Sequence, residues 1–202
     1  FIRDGGIAPN LKLKDGLPRF TDEALMVIDD HHKSGSEKPL MLYLAYPAPH
    51  TPWIPSAEFV GKSGAGMYGD FVMMVDAQIG RVLSALKSAK MAEDTLLVFT
   101  SDNGPVWYDA DEKRFGHASV GKLRGMKADA WEGGHRMPFI VRWPNRVRAG
   151  SVSHQTICFT DLLATFAGVM NAELPKGAGP DSFSFLPVLT GKHDSTKPIR
   201  AP

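Results

Sequence analysis

The chain contains one cysteine, Cys158, so no internal disulfide can staple it. No apolar run approaches the roughly 18 residues of a membrane-crossing helix, so nothing in the sequence is expected to span a bilayer. A formal charge of +1 leaves no strong field of either sign, which removes the electrostatic case for nucleic acid or an anionic membrane as partner. Internal repeats and low-complexity tracts are absent. An initiator Met and a signal-peptide pattern are missing from the Phe1-Ile2-Arg3-Asp4 start, and both ends are expected to be cut from something longer. What is present is ordinary for a soluble globular domain: 202 residues, 43% apolar and 22% charged, long enough for a sizeable core.

The chain is organised around Thr95 to Gly104. Leu96, Leu97, Val98 and Phe99 form a continuous apolar run, which predicts a strand buried on both faces of a parallel sheet. It stops at Ser101-Asp102-Asn103-Gly104. That sequence is good turn chemistry. It also places a charged and a neutral oxygen ligand side by side at the carboxyl end of a strand, where open α/β sheets bind their ligands and where a hard cation would find donors.

Along the chain, residues 1–20 read as an irregular segment, and Thr21-Asp22-Glu23 as the cap and acidic first turn of a helix reaching about His32. Adjacent His31 and His32 cannot share a helix face, so they are expected to be solvated. Leu40 to Tyr46 predicts a second apolar strand, running into Pro47-Ala48-Pro49-His50-Thr51-Pro52, a proline-stiffened loop that presents His50. Asp70 is placed as the cap of a helix over about 70–90, whose apolar face is Phe71, Val72, Val75, Ile79, Val82, Leu83 and Leu86. Strand, helix and strand in this order form a crossover unit. Val106 to Val120 reads as a long aromatic and polar loop containing His117, and loops of that length are often functional. Met137 to Trp143 predicts a third strand, and Thr160-Asp161 caps a helix carrying Leu162, Leu163, Phe166 and Ala167. Cys158 reads as a core residue rather than a nucleophile. Residues 171–202 form a loop-rich tail with one apolar contact at Phe183 to Leu189.

Taken together, Leu44-Ala45-Tyr46-Pro47-Ala48-Pro49-His50-Thr51-Pro52, Thr100-Ser101-Asp102-Asn103-Gly104, Arg124-Gly125-Met126-Lys127, Trp131-Glu132-Gly133-Gly134-His135-Arg136-Met137-Pro138 and Thr160-Asp161-Leu162-Leu163-Ala164-Thr165 closely resemble, in order and spacing, the type I sulfatases of the alkaline phosphatase superfamily. The resemblance covers nearly all of residues 20–190. It implies an α/β fold, a sandwich of helices on a mostly parallel central sheet, here incomplete, with residues 1–202 as one partial catalytic domain. It further implies hydrolysis of sulfate monoesters with calcium and a formylglycine nucleophile, acting on a small sulfate ester or a sulfated glycan. Asp102 and Asn103 match calcium ligands, Lys127 a lysine on the sulfate or leaving-group oxygen, and His50 a histidine that binds the same group and helps protonate the leaving alkoxide. These assignments suit the chemistry, because a cation, a Lys and a protonated His stabilise the charge that develops in sulfate transfer. His117 is a candidate for the substrate pocket. Arg124 is expected to pair with a carboxylate, and Arg136 to brace the Gly133-Gly134 turn.

The sequence departs from the family pattern in lacking the Cys/Ser-x-Pro-x-Arg motif that yields formylglycine and the Asp-Asp pair that completes the calcium shell. Cys158 lies in a different context. A half-built metal site without a nucleophile is therefore expected. Two alternatives stay open: a phosphoesterase on the same scaffold, and a non-catalytic truncated fragment. Sheet left uncovered would favour oligomers, and sulfatases of this kind are commonly exported.

Overall fold

The computed structural model describes residues 2–3, 6–7 and 12–200, with side chains from residue 12 onward. The chain divides into two compact units, Phe1–Ala92 with Thr100–Phe139, and Glu93–Phe99 with Ile140–Pro202.

The first unit opens with a two-stranded antiparallel ribbon, β1 (Ile2–Arg3) and β2 (Gly6–Ile7), in which Ile2 faces Ile7. Helix α1 (Leu13–Ser34) follows. It begins well before the expected cap at Thr21. Leu17, Thr21, Ala24 and Ile28 are its buried residues, spaced by four, three and four as one helical stripe requires. Thr21 lies inside the helix, bonding back to the Leu17 carbonyl at 3.1 Å and to the Tyr46 hydroxyl at 2.8 Å. Gly16 and Pro18 look like breakers in sequence. Burial of Leu17 against Phe71 and Met74 outweighs that local preference. Gly35, left-handed at φ 62°, ends the helix.

Helix α2 (Gly66–Ser88) packs on α1. Its buried face is centred on Phe71, Met74 and Gln78, while Val72 and Leu83 of the expected stripe are exposed. Asp70 does not cap it. The carboxylate is 2% exposed and accepts the backbone N–H groups of Gly61, Lys62 and Ser63 and the Ser63 hydroxyl, at 2.7–3.1 Å. It thereby folds the preceding loop onto the helix. Tyr46, Ala48, Trp53, Ile54 and Phe59 pack on the Leu17–Phe71–Met74 core, and this anchors the loop that carries His50.

Leu40–Tyr46 forms no strand, and Met41 and Tyr43 are 70% and 85% exposed. An apolar pattern records affinity for a sheet, but a ladder needs a neighbouring edge to donate to, and the described residues provide none there. The Val106–Val120 loop contains α3 (Asp109–Phe115), with acids in its first turn, Lys113 and Arg114 in its last and Gly116 as its left-handed cap. A single turn, α4 (Glu132–His135), follows.

In the second unit, β3 (Leu97–Thr100) pairs with β4 (Phe139–Arg142) as a two-stranded sheet. Every β3 residue is half-buried rather than fully buried, because a two-strand ribbon lacks the flanking strands that would enclose it. Helix α5 (Asp161–Val169) and the turn α6 (Leu186–Leu189) pack together over buried Phe185. Asp161, wholly buried, accepts N–H bonds from Cys158 at 2.7 Å and Phe183 at 2.8 Å and pairs with the Arg200 guanidinium. Thr165, equally buried, donates to the Asp161 carbonyl and accepts from the Phe185 N–H. No helix among the described residues is long and apolar enough to cross a membrane.

Candidate functional site

Strand β3 ends at Thr100, and Asp102 and Asn103 follow on the loop beyond it. Glycine-to-glycine contact holds this loop in place. The Gly104 N–H donates to the Gly134 carbonyl at 2.8 Å, and the Gly133 N–H to the Arg124 carbonyl at 2.8 Å. A Cβ on Gly104 would lie 1.9 Å from the Gly133 oxygen, and one on Gly133 would lie 2.1 Å from the Gly125 oxygen. Only hydrogen fits at these crossings.

Lys127 belongs to the same lattice. Its N–H donates to the Pro105 carbonyl at 2.9 Å, which pins it beside the segment that follows Asn103. It sits in a tight turn closed by the Asp129 N–H on the Met126 carbonyl, with Asp129 Oδ2 accepting the Met126 N–H, both at 3.0 Å. The next residue, Ala128, is left-handed at φ 73°, which costs a residue bearing a Cβ roughly 1–2 kcal/mol. Strain of this kind concentrates where the surroundings over-determine the backbone at functional sites. The Lys127 side chain is half-buried. Arg124 stacks 3.7 Å over Trp131 instead of pairing with a carboxylate. The flat guanidinium suits an aromatic face. Arg136 spans the glycine pair to Glu132 at 2.6 Å, as expected.

Asp102 is exposed, and its one described contact is the Ser101 hydroxyl at 3.4 Å. Asn103 donates its amide N–H to the Gly104 carbonyl at 2.9 Å, which turns its Oδ1 away from that bond. Two hard oxygen donors are thus free on adjacent residues, and this pairing fits part of a calcium shell. Among the described residues no group of three or more His, Cys, Asp or Glu side chains could hold a metal ion, whereas calcium takes about six to eight oxygens.

His50 lies on the loop between the cis Ala48–Pro49 and Thr51–Pro52 bonds, exposed, with Nδ1 2.8 Å from the Thr51 carbonyl. A carbonyl can only accept, so Nδ1 carries the proton and Nε2 is left for a ligand. No described hydrogen bond joins His50 to Asp102, Asn103 or Lys127. An aromatic run connects its loop to the one beyond Gly104: Trp53 to Tyr68 at 5.5 Å between ring centroids, Tyr68 to Trp107 at 4.9 Å, and Trp107 to Phe115 at 5.8 Å. Burial pushes the Tyr68 phenol up from its ordinary value. His117 is exposed and contributes its backbone carbonyl, which receives the Trp107 indole N–H at 2.6 Å. The aromatic run and the left-handed Ala128 carry no sequence signal, since the run joins residues far apart in the chain.

Cys158 is exposed, not in the core. The Thr160 N–H and hydroxyl hold its thiol below the usual range. The backbone bond from Cys158 to buried Asp161 fixes the main chain and leaves the side chain outside.

A sequence model of the sulfatase family matches residues 18–172, well over half of the chain. The chain is 38% identical, over 93% of its length, to an N-acetylgalactosamine-6-O-sulfatase of Bacteroides thetaiotaomicron, and 37% identical, over 86%, to human steryl-sulfatase. It spans 37% and 29% of the lengths of these relatives. A solved structure described under glycosaminoglycan metabolism by Bacteroides thetaiotaomicron superposes with a TM-score of 0.84 at 36% identity, covering 96% of this chain and 42% of that one. A second, Ps i-CgsB in complex with a neocarrahexaose, superposes with a TM-score of 0.78 at 27% identity, covering 96% and 42%.

Proposed function

The chain belongs to the sulfatase family, and on that premise we propose that the intact protein hydrolyses sulfate monoesters of a sulfated glycan, with Lys127, His50, Asp102 and Asn103 in the reaction site. The observation that supports this reading is the backbone bond from Lys127 to Pro105 at 2.9 Å, which holds the Lys127 main chain against the segment that follows Asn103. The superposition on sulfatase structures supports the alkaline phosphatase-like sandwich as the setting of these residues. The glycan assignment draws on the relative named for N-acetylgalactosamine-6-sulfate and the neighbour solved with a carrageenan-type oligosaccharide.

Sulfate transfer loads negative charge onto the leaving oxygen and the equatorial sulfuryl oxygens. Lys127, half-buried and with its main chain fixed, offers a cation to stabilise that charge as it appears. His50, with Nδ1–H held by the Thr51 carbonyl, directs Nε2 at the leaving group, and in its doubly protonated form the ring delivers the Nε2 proton to the departing alkoxide. Asp102 and Asn103 would hold a calcium ion, which when bound supplies further positive charge to the sulfate oxygens. The nucleophile that the family resemblance implies, formylglycine, has no Cys/Ser-x-Pro-x-Arg counterpart in these 202 residues.

The test is turnover of 4-nitrophenyl sulfate and 4-nitrophenyl phosphate by the intact protein. Sulfate release that falls at least about a hundredfold in Lys127→Ala, with the phosphate ester cleaved poorly throughout, is the expected result. Preferential cleavage of the phosphate ester would replace the sulfatase reading with a phosphoesterase one. Turnover of neither would leave a fold without hydrolase activity.

A further inference from the structure

The first unit contains a cavity of about 240 Å³ whose lining includes Trp53, Tyr68, Trp107, Phe115, Asp111 and Arg114. The four rings are tilted against one another by 59°, 40° and 34°, so together they make a curved wall rather than a flat stack. Trp107 is buried, its indole N–H already satisfied by His117. Trp53, Tyr68 and Phe115 remain half-exposed. The Arg114 guanidinium stands 4.9 Å from the Phe115 centroid.

We propose that this cavity is a binding subsite for one uncharged pyranose ring of the glycan, next to the sulfated sugar. The proposal rests on the sulfated-glycan reading above and adds residues that the reaction itself does not use. Ligand pockets combine apolar walls with a few convergent polar groups, and this one offers aromatic faces plus one carboxylate and one guanidinium. Sugar rings have C–H faces that lie on aromatic rings and hydroxyls that both donate and accept. Asp111 and Arg114 answer those hydroxyls, and their charges cancel. A lining with no net charge favours a neutral ring over a second sulfate. The volume falls below the roughly 300–1,000 Å³ of pockets for drug-sized ligands, so it suits a single ring. The cavity and the reaction residues share chain segments: Trp53 follows His50 on the same proline-stiffened loop, and Trp107 follows Asn103 on the loop beyond β3.

Trp53 also packs on the core, so two substitutions are needed, Trp53→Ala and Asp111→Ala at a half-buried lining position, with Trp53→Phe as the conservative control and a melting curve for each. Substrates are 4-nitrophenyl sulfate and a disaccharide containing N-acetylgalactosamine-6-sulfate. The expected result is that kcat/KM on the disaccharide, relative to that on the aryl sulfate, falls at least about tenfold in Trp53→Ala, through KM, falls less in Asp111→Ala, and is largely restored in Trp53→Phe. An unchanged ratio in both alanine variants would overturn the subsite. Binding of the desulfated disaccharide, followed by tryptophan fluorescence, separates the two claims. If the wild-type protein cleaves neither ester, the hydrolase reading fails, yet quenching that is lost in Trp53→Ala still upholds the subsite. No quenching by millimolar sugar overturns it.

Discussion

Asp161 and Asp102 are carboxylates in the two units of one chain, and they are treated in opposite ways. Asp161 is wholly buried, and its oxygens are used by two backbone N–H groups and Arg200. Asp102 is exposed, with one hydroxyl contact at 3.4 Å. Burying a charge is costly unless its hydrogen-bonding capacity is filled, so Asp161 is tied to its neighbours and has nothing left for a ligand. Asp102 keeps its oxygens in reserve, and the surrounding rigidity comes from the glycine lattice instead. On the proposed reading, Asp161 is a carboxylate that holds the fold and Asp102 is one left open for a ligand. Asp70, closed by Gly61, Lys62 and Ser63, falls on the Asp161 side although it lies in the same unit as Asp102.

The comparison breaks most sharply under alanine substitution. Asp161→Ala strands the Cys158 and Phe183 N–H groups and the Arg200 cation, and is expected to cost about 3 kcal/mol in urea unfolding of the intact protein. Asp102→Ala, without calcium, should stay within about 0.5 kcal/mol of wild type. Equal costs would erase the distinction.

The lattice carries the next largest effect. Gly104→Ala places a methyl carbon against the Gly133 carbonyl, and overpacking of this kind costs about 1–3 kcal/mol. It should lower sulfate-ester turnover as well as melting temperature, since it separates the Asp102 loop from Lys127. Loss of stability with turnover intact would show that the lattice does not align the site.

Asp70 sharpens the comparison by pH. The Ser63 and Gly61 N–H groups hold its carboxyl below the ordinary 3.8. Its stabilising contribution is therefore fully present above about pH 4 and lost as pH falls through the lower folded value. Melting temperature should drop through that acid window in wild type and respond less in Asp70→Asn. An identical acid limb in both would contradict the assignment.

Much of this architecture was legible in residue pattern, because it depends on short-range rules. The β3 run, the existence of α2 and α5 and the strand at Phe139–Arg142 all carry their signal locally, whereas Thr160 makes no side-chain cap bond and Asp161 is a buried acceptor rather than a cap. The early start of α1 was not legible, since Gly16 and Pro18 argue against helix and only contact of Leu17 with α2 reverses them. A buried acceptor and a helix cap look alike in sequence, which hid the role of Asp70. Leu40–Tyr46 shows the opposite failure, a strand pattern without a partner. At the site, residue types and order were readable, whereas the crossing of glycine backbones, the left-handed Ala128 and the Trp53–Tyr68–Trp107 run depend on chain segments distant in sequence.

The central claim is that Asp102 and Asn103 hold free oxygens for a divalent cation on a pre-set backbone. Its most direct test is the melting temperature of the intact protein and of Asp102→Ala, each with and without millimolar calcium. A ligand that binds only the folded state raises stability by mass action. Calcium should raise the melting temperature of wild type and leave that of Asp102→Ala unmoved, and an equal rise in both would contradict the account.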